Sequence, residues 1–173
     1  MAMAGRLEGS REAILDILRR SGGVSVDELV RELNLAGATI SGAVVNVDVT
    51  ANSTEVGGVV GSNAGDILNS SFSGTVSGTG NVGGLAGSNS GAIVSSSSAG
   101  TVNGSAANIG GLVGDNQFSG TITGSQSSAT VSDLGTAAGN LGGLAGSNEG
   151  SIQSSSASGS VSGLTNVGGL VGN

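Results

Sequence analysis

The sequence lacks the residue types on which most catalytic and metal-binding chemistry depends. Its 173 residues include no Cys, His, Pro, Trp or Tyr, two Phe, and five basic residues that are all Arg. Without Cys there are no disulfides and no thiolate metal sites. Without His, Lys, Tyr and Cys, most nucleophiles and general bases are missing. The sequence therefore predicts a protein that is not an enzyme and that uses no cofactor and no metal.

What remains is an aliphatic, glycine-rich chain. Hydrophobic residues make up 36% and charged residues 10%, which is too apolar for a disordered polar chain. The 35 glycines follow no three-residue period, and there is no proline, so collagen is excluded. The length predicts one domain with room for a small appendage.

Charge is distributed unevenly along the chain. From Asn34 onward every charged side chain is acidic, so this part cannot bind nucleic-acid phosphates on its own. Residues 1–10 show no apolar signal-peptide region, and there is no run of about 18 apolar residues to span a membrane. As written, the sequence predicts a cytoplasmic chain.

A pair of glycines preceded by a branched aliphatic residue recurs five times, with spacings of 26, 27, 32 and 26 residues. A second signal has the same period, because five isoleucines each precede a valine by nine residues, as Ile67 precedes Val76. Self-similarity of this kind indicates repeats that stack on one another. The glycine pairs are Gly57-Gly58, Gly83-Gly84, Gly110-Gly111, Gly142-Gly143 and Gly168-Gly169.

Within each repeat the pattern is typical of strands. Segments such as residues 74–78 place one β-branched aliphatic between small polar residues, which is a period of two. We expect three short strands per repeat, as in 67–72, 74–78 and 81–87. The fold class predicted for residues 37–173 is mainly β, a three-sided β-solenoid of about five coils.

Glycine and asparagine have predicted structural roles in this solenoid. Glycine would supply positive φ at corners, where asparagine also tolerates the left-handed region. Gly83-Gly84 would bend the chain so that Val82 and Leu85 both reach the core. Stacked asparagines would form two hydrogen-bonded ladders. The first ladder is Asn63, Asn89, Asn116 and Asn148, and the second is Asn81, Asn108, Asn140 and Asn166, with Glu55 in the place of its first member.

The segment Val-Gly-Gly-Leu-Ala-Gly-Ser-Asn at 82–89 resembles the GLUG repeat of bacterial adhesin-like surface proteins. The resemblance extends over roughly residues 39–173. It implies a non-catalytic β-helical stalk or adhesion segment at the cell surface, and hence an extracellular location. A glycan or a cell-surface protein is the partner that it implies.

Residues 1–36 do not follow the repeat pattern, and they are predicted to form a short two-helix N-terminal cap. Residues 11–20 and 26–33 have helical patterns, and Ser25 with Glu28 forms a capping box before the second. Residues 10–35 resemble the first two helices of a bacterial winged helix-turn-helix regulator, which implies DNA binding. We favour the cap, because no basic residue follows Arg31 to contact DNA and Ile40 already belongs to the solenoid. A DNA-binding regulator and a junction without function remain alternatives.

The candidate binding surface is a row of small polar side chains beside the valine column. Alternation points the neighbours of each valine outward in a flat array. Such an array could bind a glycan or protein, could bind ice, or could be only a solvated face. The outward residues are Thr75, Ser77, Thr101, Asn103, Thr130, Ser132, Ser160 and Ser162, which follow Asp48 and Thr50 in the first coil.

Two further expectations concern acidic residues and the end of the solenoid. Asp115, between Gly114 and Asn116, is interpreted as a lone solvated turn residue, because calcium needs six or more oxygen ligands. No carboxylate pair at catalytic spacing is expected. The uncapped edge near Asn173 predicts self-association.

Overall fold

The described part of the chain is a parallel β-solenoid of five coils, seen in a computed structural model that describes residues 38–105, 107–135 and 139–173. Each coil runs in turn through four parallel sheets, which we name A, B, C and D. Coil 1 covers residues 39–63, coil 2 66–89, coil 3 92–116, coil 4 121–148 and coil 5 151–173. The predicted two-helix cap, the helix-turn-helix resemblance and the domain boundary at residue 36 lie outside the described residues.

Sheet A contains one short strand from each coil. Equivalent residues are paired in register, so that Ile40 pairs with Ile67 and Ile93 with Ile122. The strands are Thr39–Ser41, Asp66–Leu68, Ala92–Val94, Thr121–Thr123 and Ser151–Gln153.

Sheet B is the widest face of the solenoid. In coils 2 and 3 it is crossed by unbroken strands of eight residues, whereas in coils 1, 4 and 5 the strand is interrupted once. Val76 pairs with Val102, which pairs with Val131, so the predicted vertical alignment of this column is confirmed. The strands are Val44–Asn46, Val49–Ala51, Ser71–Gly78, Ser97–Gly104, Gln126–Ser127, Thr130–Asp133, Ser156–Ala157 and Val161–Ser162.

Sheets C and D lie on either side of the bend at the glycine pair. The strands of sheet C are Glu55–Gly57, Asn81–Gly83, Asn108–Gly110, Asn140–Gly142 and Val167–Gly168. The strands of sheet D are Val60–Asn63, Ala86–Asn89, Val113–Asn116 and Ala145–Asn148, and coil 5 adds a bridge between Val171 and Ala145.

Each coil thus passes through four sheets, whereas the sequence predicts three strands per coil. In coil 2 the predicted break between 67–72 and 74–78 lies inside the continuous strand Ser71–Gly78. The predicted single strand 81–87 is instead two, because the chain bends between Gly83 and Ala86. The bend buries both Val82 and Leu85 completely, as expected.

The core is a set of aliphatic columns that run along the solenoid axis. Sheet A contributes isoleucine, sheet B valine, and the bend between sheets C and D a leucine in coils 2, 3 and 4. Such columns bury apolar surface only when coils stack, which explains why one repeat cannot fold alone. Fully buried members in coils 2 to 4 are Ile67, Ile93, Ile122, Val76, Val102, Val131, Leu85, Leu112 and Leu144.

The glycine pairs serve close packing. A Cβ on Gly83 would overlap the carbonyl oxygen of Ala86 in its own coil, and a Cβ on Gly84 would overlap the carbonyl oxygen of Gly111 in the next coil. No glycine of the five pairs has a positive φ, so these pairs do not supply the positive φ that was predicted for glycine at corners. A side chain is excluded because two backbone segments meet there.

Positive φ occurs at Gly74, Gly100 and Asn166, and in every coil at the corner between sheets A and B. One residue from each coil adopts the left-handed region there, and the register of sheet A places the five in one column. Two of the five are serines, which are strained there, whereas glycine and asparagine tolerate this region. The column is Gly42 (φ 67°), Asn69 (49°), Ser95 (50°), Gly124 (59°) and Ser154 (50°).

Candidate functional site

The candidate binding surface lies on the outward side of sheet B, beside the buried valine column. Pairing places Thr75 next to Thr101 and Thr101 next to Thr130, in adjacent coils. Parallel strands lie about 4.8 Å apart, and alternate residues of one strand about 6.6 Å apart. We call this array the hydroxyl ladder. It consists of Thr75, Ser77, Thr101, Asn103, Thr130, Ser132, Ser160 and Ser162.

The ladder is most open towards coil 5. Thr130, Ser160 and Ser162 are exposed, whereas the other five members of the ladder are half-buried. Coil 1 differs, because Asp48 occupies the threonine column and its Oδ1 accepts the backbone N–H of Thr75 at 2.8 Å. The ladder itself carries no charge.

Two shallow grooves flank the ladder on sheet B. One, of about 190 Å³, is lined by Thr50, Ser77 and Asn103 and ends at Leu134, whose side chain is 70% exposed. The other, of about 120 Å³, is lined mainly by serines of coils 3 to 5 and by Gln126. Both are lined by uncharged residues, so this face offers hydroxyl and amide groups for hydrogen bonding.

The first asparagine ladder is buried between sheets D and A. Asn63 Nδ2 donates to Asn89 Oδ1 at 2.7 Å, and the same bond joins Asn89 to Asn116 and Asn116 to Asn148 at 2.7 Å each. Each Nδ2 also donates to a glycine carbonyl in its own turn, as from Asn89 to Gly91. Both donors are therefore used along most of the ladder, which allows the amides to be buried.

The second asparagine ladder follows sheet C, and its hydrogen bonds are donated towards coil 1, opposite to those of the first ladder. Asn108 Nδ2 donates back to Asn81 Oδ1 at 3.1 Å, Asn140 to Asn108 at 2.8 Å, and Asn166 to Asn140 at 2.7 Å. Glu55 occupies the same column in coil 1, where it pairs with Asn81 in sheet C. A carboxylate accepts but cannot donate, so Glu55 can serve this ladder as an acceptor but not as a donor.

A column of serines that the sequence did not single out stabilises the corner between sheets A and B. Ser96 Oγ donates to the carbonyl of Val94 at 2.9 Å and accepts the backbone N–H of Ser70 at 3.1 Å. Ser70 and Ser125 make the same pair of contacts in their coils. In sequence these buried serines look like the serines beside them, as in residues 95–98, and only their position at the corner distinguishes them.

Asp115 lies on sheet D, paired with Ser88 on one side and Ser147 on the other. Burial raises the pKa of its carboxyl, and the charge of Glu149 in the next turn raises it further, while a hydrogen bond with Ser147 lowers it. Asp115 is therefore a half-buried strand residue with a second carboxylate nearby, and the prediction of a lone solvated turn residue is wrong. Within the described residues no group of three or more acidic side chains could hold a metal ion.

Comparison with known proteins agrees with this geometry. The model of the GLUG motif matches residues 52–77 and 137–162. The chain carries GLUG repeats. Each match covers one complete winding, with a strand from sheets C, D, A and B in that order. Searches of curated proteins and of solved structures found no similar chain.

The GLUG solenoid is thus a structural repeat module. Its asparagine ladders, glycine pairs and serine column all hold one coil against the next. The hydroxyl ladder and its grooves lie instead on the outer surface of sheet B. Among the residues that the structure describes, there is no helix of the length and hydrophobicity that a membrane crossing requires.

Proposed function

We propose that this chain is a non-catalytic adhesive module of the bacterial cell surface, and that the hydroxyl ladder binds an uncharged glycan. The observation that carries the proposal is the in-register array of threonine and serine on sheet B. Hydroxyl groups both donate and accept hydrogen bonds, as sugar hydroxyls do. A rigid sheet holds them in place, so little conformational entropy is lost on binding.

The charge of the solenoid supports an uncharged partner. Between residues 38 and 173 the sequence has six acidic and no basic side chains. A polyanion such as DNA or an acidic polysaccharide would be repelled by this part of the chain. The neutral ladder presents neither an anion site nor a cation site, which leaves hydrogen bonding and van der Waals contact as its means of recognition.

The proposal is tested on a glycan array and on whole cells with wild-type chain and two variants. Thr101→Lys places a long charged side chain in the middle of the ladder, and Thr121→Lys makes the same change on the exposed side of sheet A. We expect Thr101→Lys to lose glycan binding and Thr121→Lys to keep it.

Other outcomes would redirect or end the proposal. Binding that survives Thr101→Lys would place the binding surface elsewhere. Cell binding that is unaffected by glycosidase treatment would indicate a protein partner. Thermal hysteresis that is lost in Thr101→Lys, without glycan binding, would favour ice. No binding in any of these assays would refute an adhesive function for this face.

The regulator alternative depends on residues 10–35 and stays a separate prediction. It requires salt-sensitive binding to duplex DNA, which a gel shift at low salt would detect. Absence of a complex at low salt would exclude it.

A further inference from the structure

The smaller groove on sheet B has the size of a sugar substituent and not of a sugar ring. Its volume is about 120 Å³, and a water molecule in the liquid occupies about 30 Å³, so the groove has room for about four non-hydrogen atoms. The ring of a single hexose contains more atoms than this. We call this groove the Gln126 recess, and its walls are formed by Ser97, Ala99, Gln126, Ser128, Ser156 and Ser158.

The base of the recess offers no free hydrogen-bonding side chain. Ser98 and Ser127 line it but are each only 2% exposed. Ser98 Oγ donates to the carbonyl oxygen of Gly111, and Ser127 Oγ accepts the backbone N–H of Ala129 at 3.3 Å. On the wall, Ala99 presents a methyl group where coil 2 has Ser73. A bound group that reaches the base would lose its own hydrogen bonds to water there, so a methyl group suits this position better than a hydroxyl group.

The rim of the recess carries an exposed carboxamide. Gln126 pairs in register with Ser97 of coil 3 and Ser156 of coil 5, so one long side chain projects between two short ones. A carboxamide has N–H donors and a carbonyl acceptor. It can therefore donate one hydrogen bond to a second amide and accept another from it.

The recess adjoins the open part of the hydroxyl ladder. Ser128 on its wall and Thr130 in the ladder are alternate residues of coil 4, and Ser158 and Ser160 repeat this arrangement in coil 5. All four are exposed. A sugar ring that lies over Thr130 and Ser160 is therefore beside the recess, and its substituent can enter the recess.

We propose that the Gln126 recess binds the acetamido group of an N-acetylhexosamine, while the hydroxyl ladder binds the sugar that carries it. The inference rests on the proposed function and narrows its substrate class to uncharged glycans with N-acetylated sugars. An acetamido group has as many non-hydrogen atoms as the recess holds. Its methyl group meets Ala99 and the base, and its amide meets Gln126. A hydroxymethyl group is smaller and would leave the recess partly empty.

The test compares two oligosaccharides of equal length with the same backbone, β-1,4-linked N-acetylglucosamine and β-1,4-linked glucose. They differ only in the acetamido or hydroxyl group at position 2, and isothermal titration calorimetry measures their affinities for the full chain. We expect the N-acetylated oligomer to bind about tenfold more tightly or better. Equal affinities that are both lost in Thr101→Lys would overturn the inference and leave the proposed function standing. Binding of neither oligomer would also overturn the inference, and the glycan array then decides on the proposed function.

Two variants locate the acetamido group. Ala99→Leu fills the recess, and Gln126→Met keeps the length of the side chain but removes its amide. Each is expected to lower the affinity for the N-acetylated oligomer about tenfold and to leave the affinity for the glucose oligomer unchanged. Ser73→Leu is the matched control and should bind as wild type, because Ser73 is exposed, pairs with Ala99 from coil 2 and does not line the recess.

The variants can also contradict the inference. Unchanged preference for the N-acetylated oligomer in both Ala99→Leu and Gln126→Met would overturn it, as would an equal loss in Ser73→Leu and Ala99→Leu. Far-UV circular dichroism checks that each variant is folded, and Gln126→Met alone decides if Ala99→Leu is not.

Discussion

Two Gly→Ala substitutions separate the two reasons for glycine in this fold. Gly110 begins a glycine pair and has no positive φ, but a Cβ there would overlap the carbonyl oxygen of Val113 and lie 2.6 Å from the backbone nitrogen of Gly146. Gly124 has a φ of 59°, but a Cβ there would meet only Ser95 Oγ, at 3.7 Å. One substitution tests packing and the other tests backbone conformation.

The expected costs differ in size. Alanine in the left-handed region costs about 1–2 kcal/mol, and this is reduced because alanine also restricts the unfolded chain, so Gly124→Ala should cost about 1 kcal/mol. At Gly110 the obstacles are backbone atoms of the same coil and of the next, which no rotamer change can move. Overpacking typically costs about 1–3 kcal/mol even where side chains can adjust, so we expect Gly110→Ala to cost about 3 kcal/mol or more.

Urea unfolding followed by circular dichroism measures both costs, provided that the slope m is the same in wild type and variants. Ser95→Gly is the complementary variant, since it relieves a left-handed serine with an exposed side chain, and it should be neutral or stabilising by up to about 1 kcal/mol. Equal losses in Gly110→Ala and Gly124→Ala would refute the packing explanation of the glycine pair.

Three further predictions concern the polar columns. Asn116→Ala breaks the buried ladder on both sides and should cost about 3 kcal/mol, against about 1 kcal/mol for Asn140→Ala in the more exposed ladder, measured by urea unfolding. Ser125→Ala leaves the backbone N–H of Ser96 unpaired and should cost about 1–3 kcal/mol in the same assay. The raised pKa of Asp115 means that the folded chain holds this proton to higher pH than the unfolded chain. Binding of this proton therefore stabilises the folded chain at pH values below the ordinary pKa of 3.8, and that stabilisation is lost as pH rises through the raised pKa. At neutral pH the carboxylate is charged and partly desolvated, so Asp115→Asn should raise the melting temperature there.

Each of these predictions has a control that can contradict it. Similar losses of stability in Asn116→Ala and Asn140→Ala would show that burial does not determine how strongly each asparagine ladder stabilises the fold. Ser128→Ala, on the exposed side of sheet B, should change stability by less than about 0.5 kcal/mol, and a loss equal to that of Ser125→Ala would remove the serine column's special role. Asp66→Asn removes an exposed carboxylate, and a melting temperature raised as much as in Asp115→Asn would point to net charge instead.

The aliphatic columns of the fold could be predicted from sequence because their spacing survives every insertion. Ile67 and Val76 are nine residues apart in a repeat whose loops vary, and this fixed distance reflects two sheets joined by one corner. The bend at the glycine pairs was predicted correctly, but the reason for glycine there was not, because positive φ and close packing both favour glycine and the sequence does not distinguish them.

The polar positions were harder to predict for a physical reason. Ser95, Ser96 and Ser97 are identical in sequence, yet Ser95 has a left-handed backbone, Ser96 is buried in the serine column and Ser97 faces solvent. The corner that separates them is set by contacts with neighbouring coils, which a single-repeat pattern does not contain. The hydroxyl ladder was predictable, because it needs only strict alternation around the valine column.

The most direct test of the stacked, in-register solenoid uses the absence of cysteine from the chain. Thr75 and Thr101 are paired in sheet B, at a spacing of about 4.8 Å between parallel strands, which is within the range of about 4.4–6.8 Å that a disulfide spans. Thr75 and Asn103 are two residues out of register and about 8 Å apart. The double variant Thr75→Cys/Thr101→Cys should oxidise to a disulfide without loss of structure, and Thr75→Cys/Asn103→Cys should not. Disulfide formation in the second variant but not in the first would contradict the register on which the whole account rests.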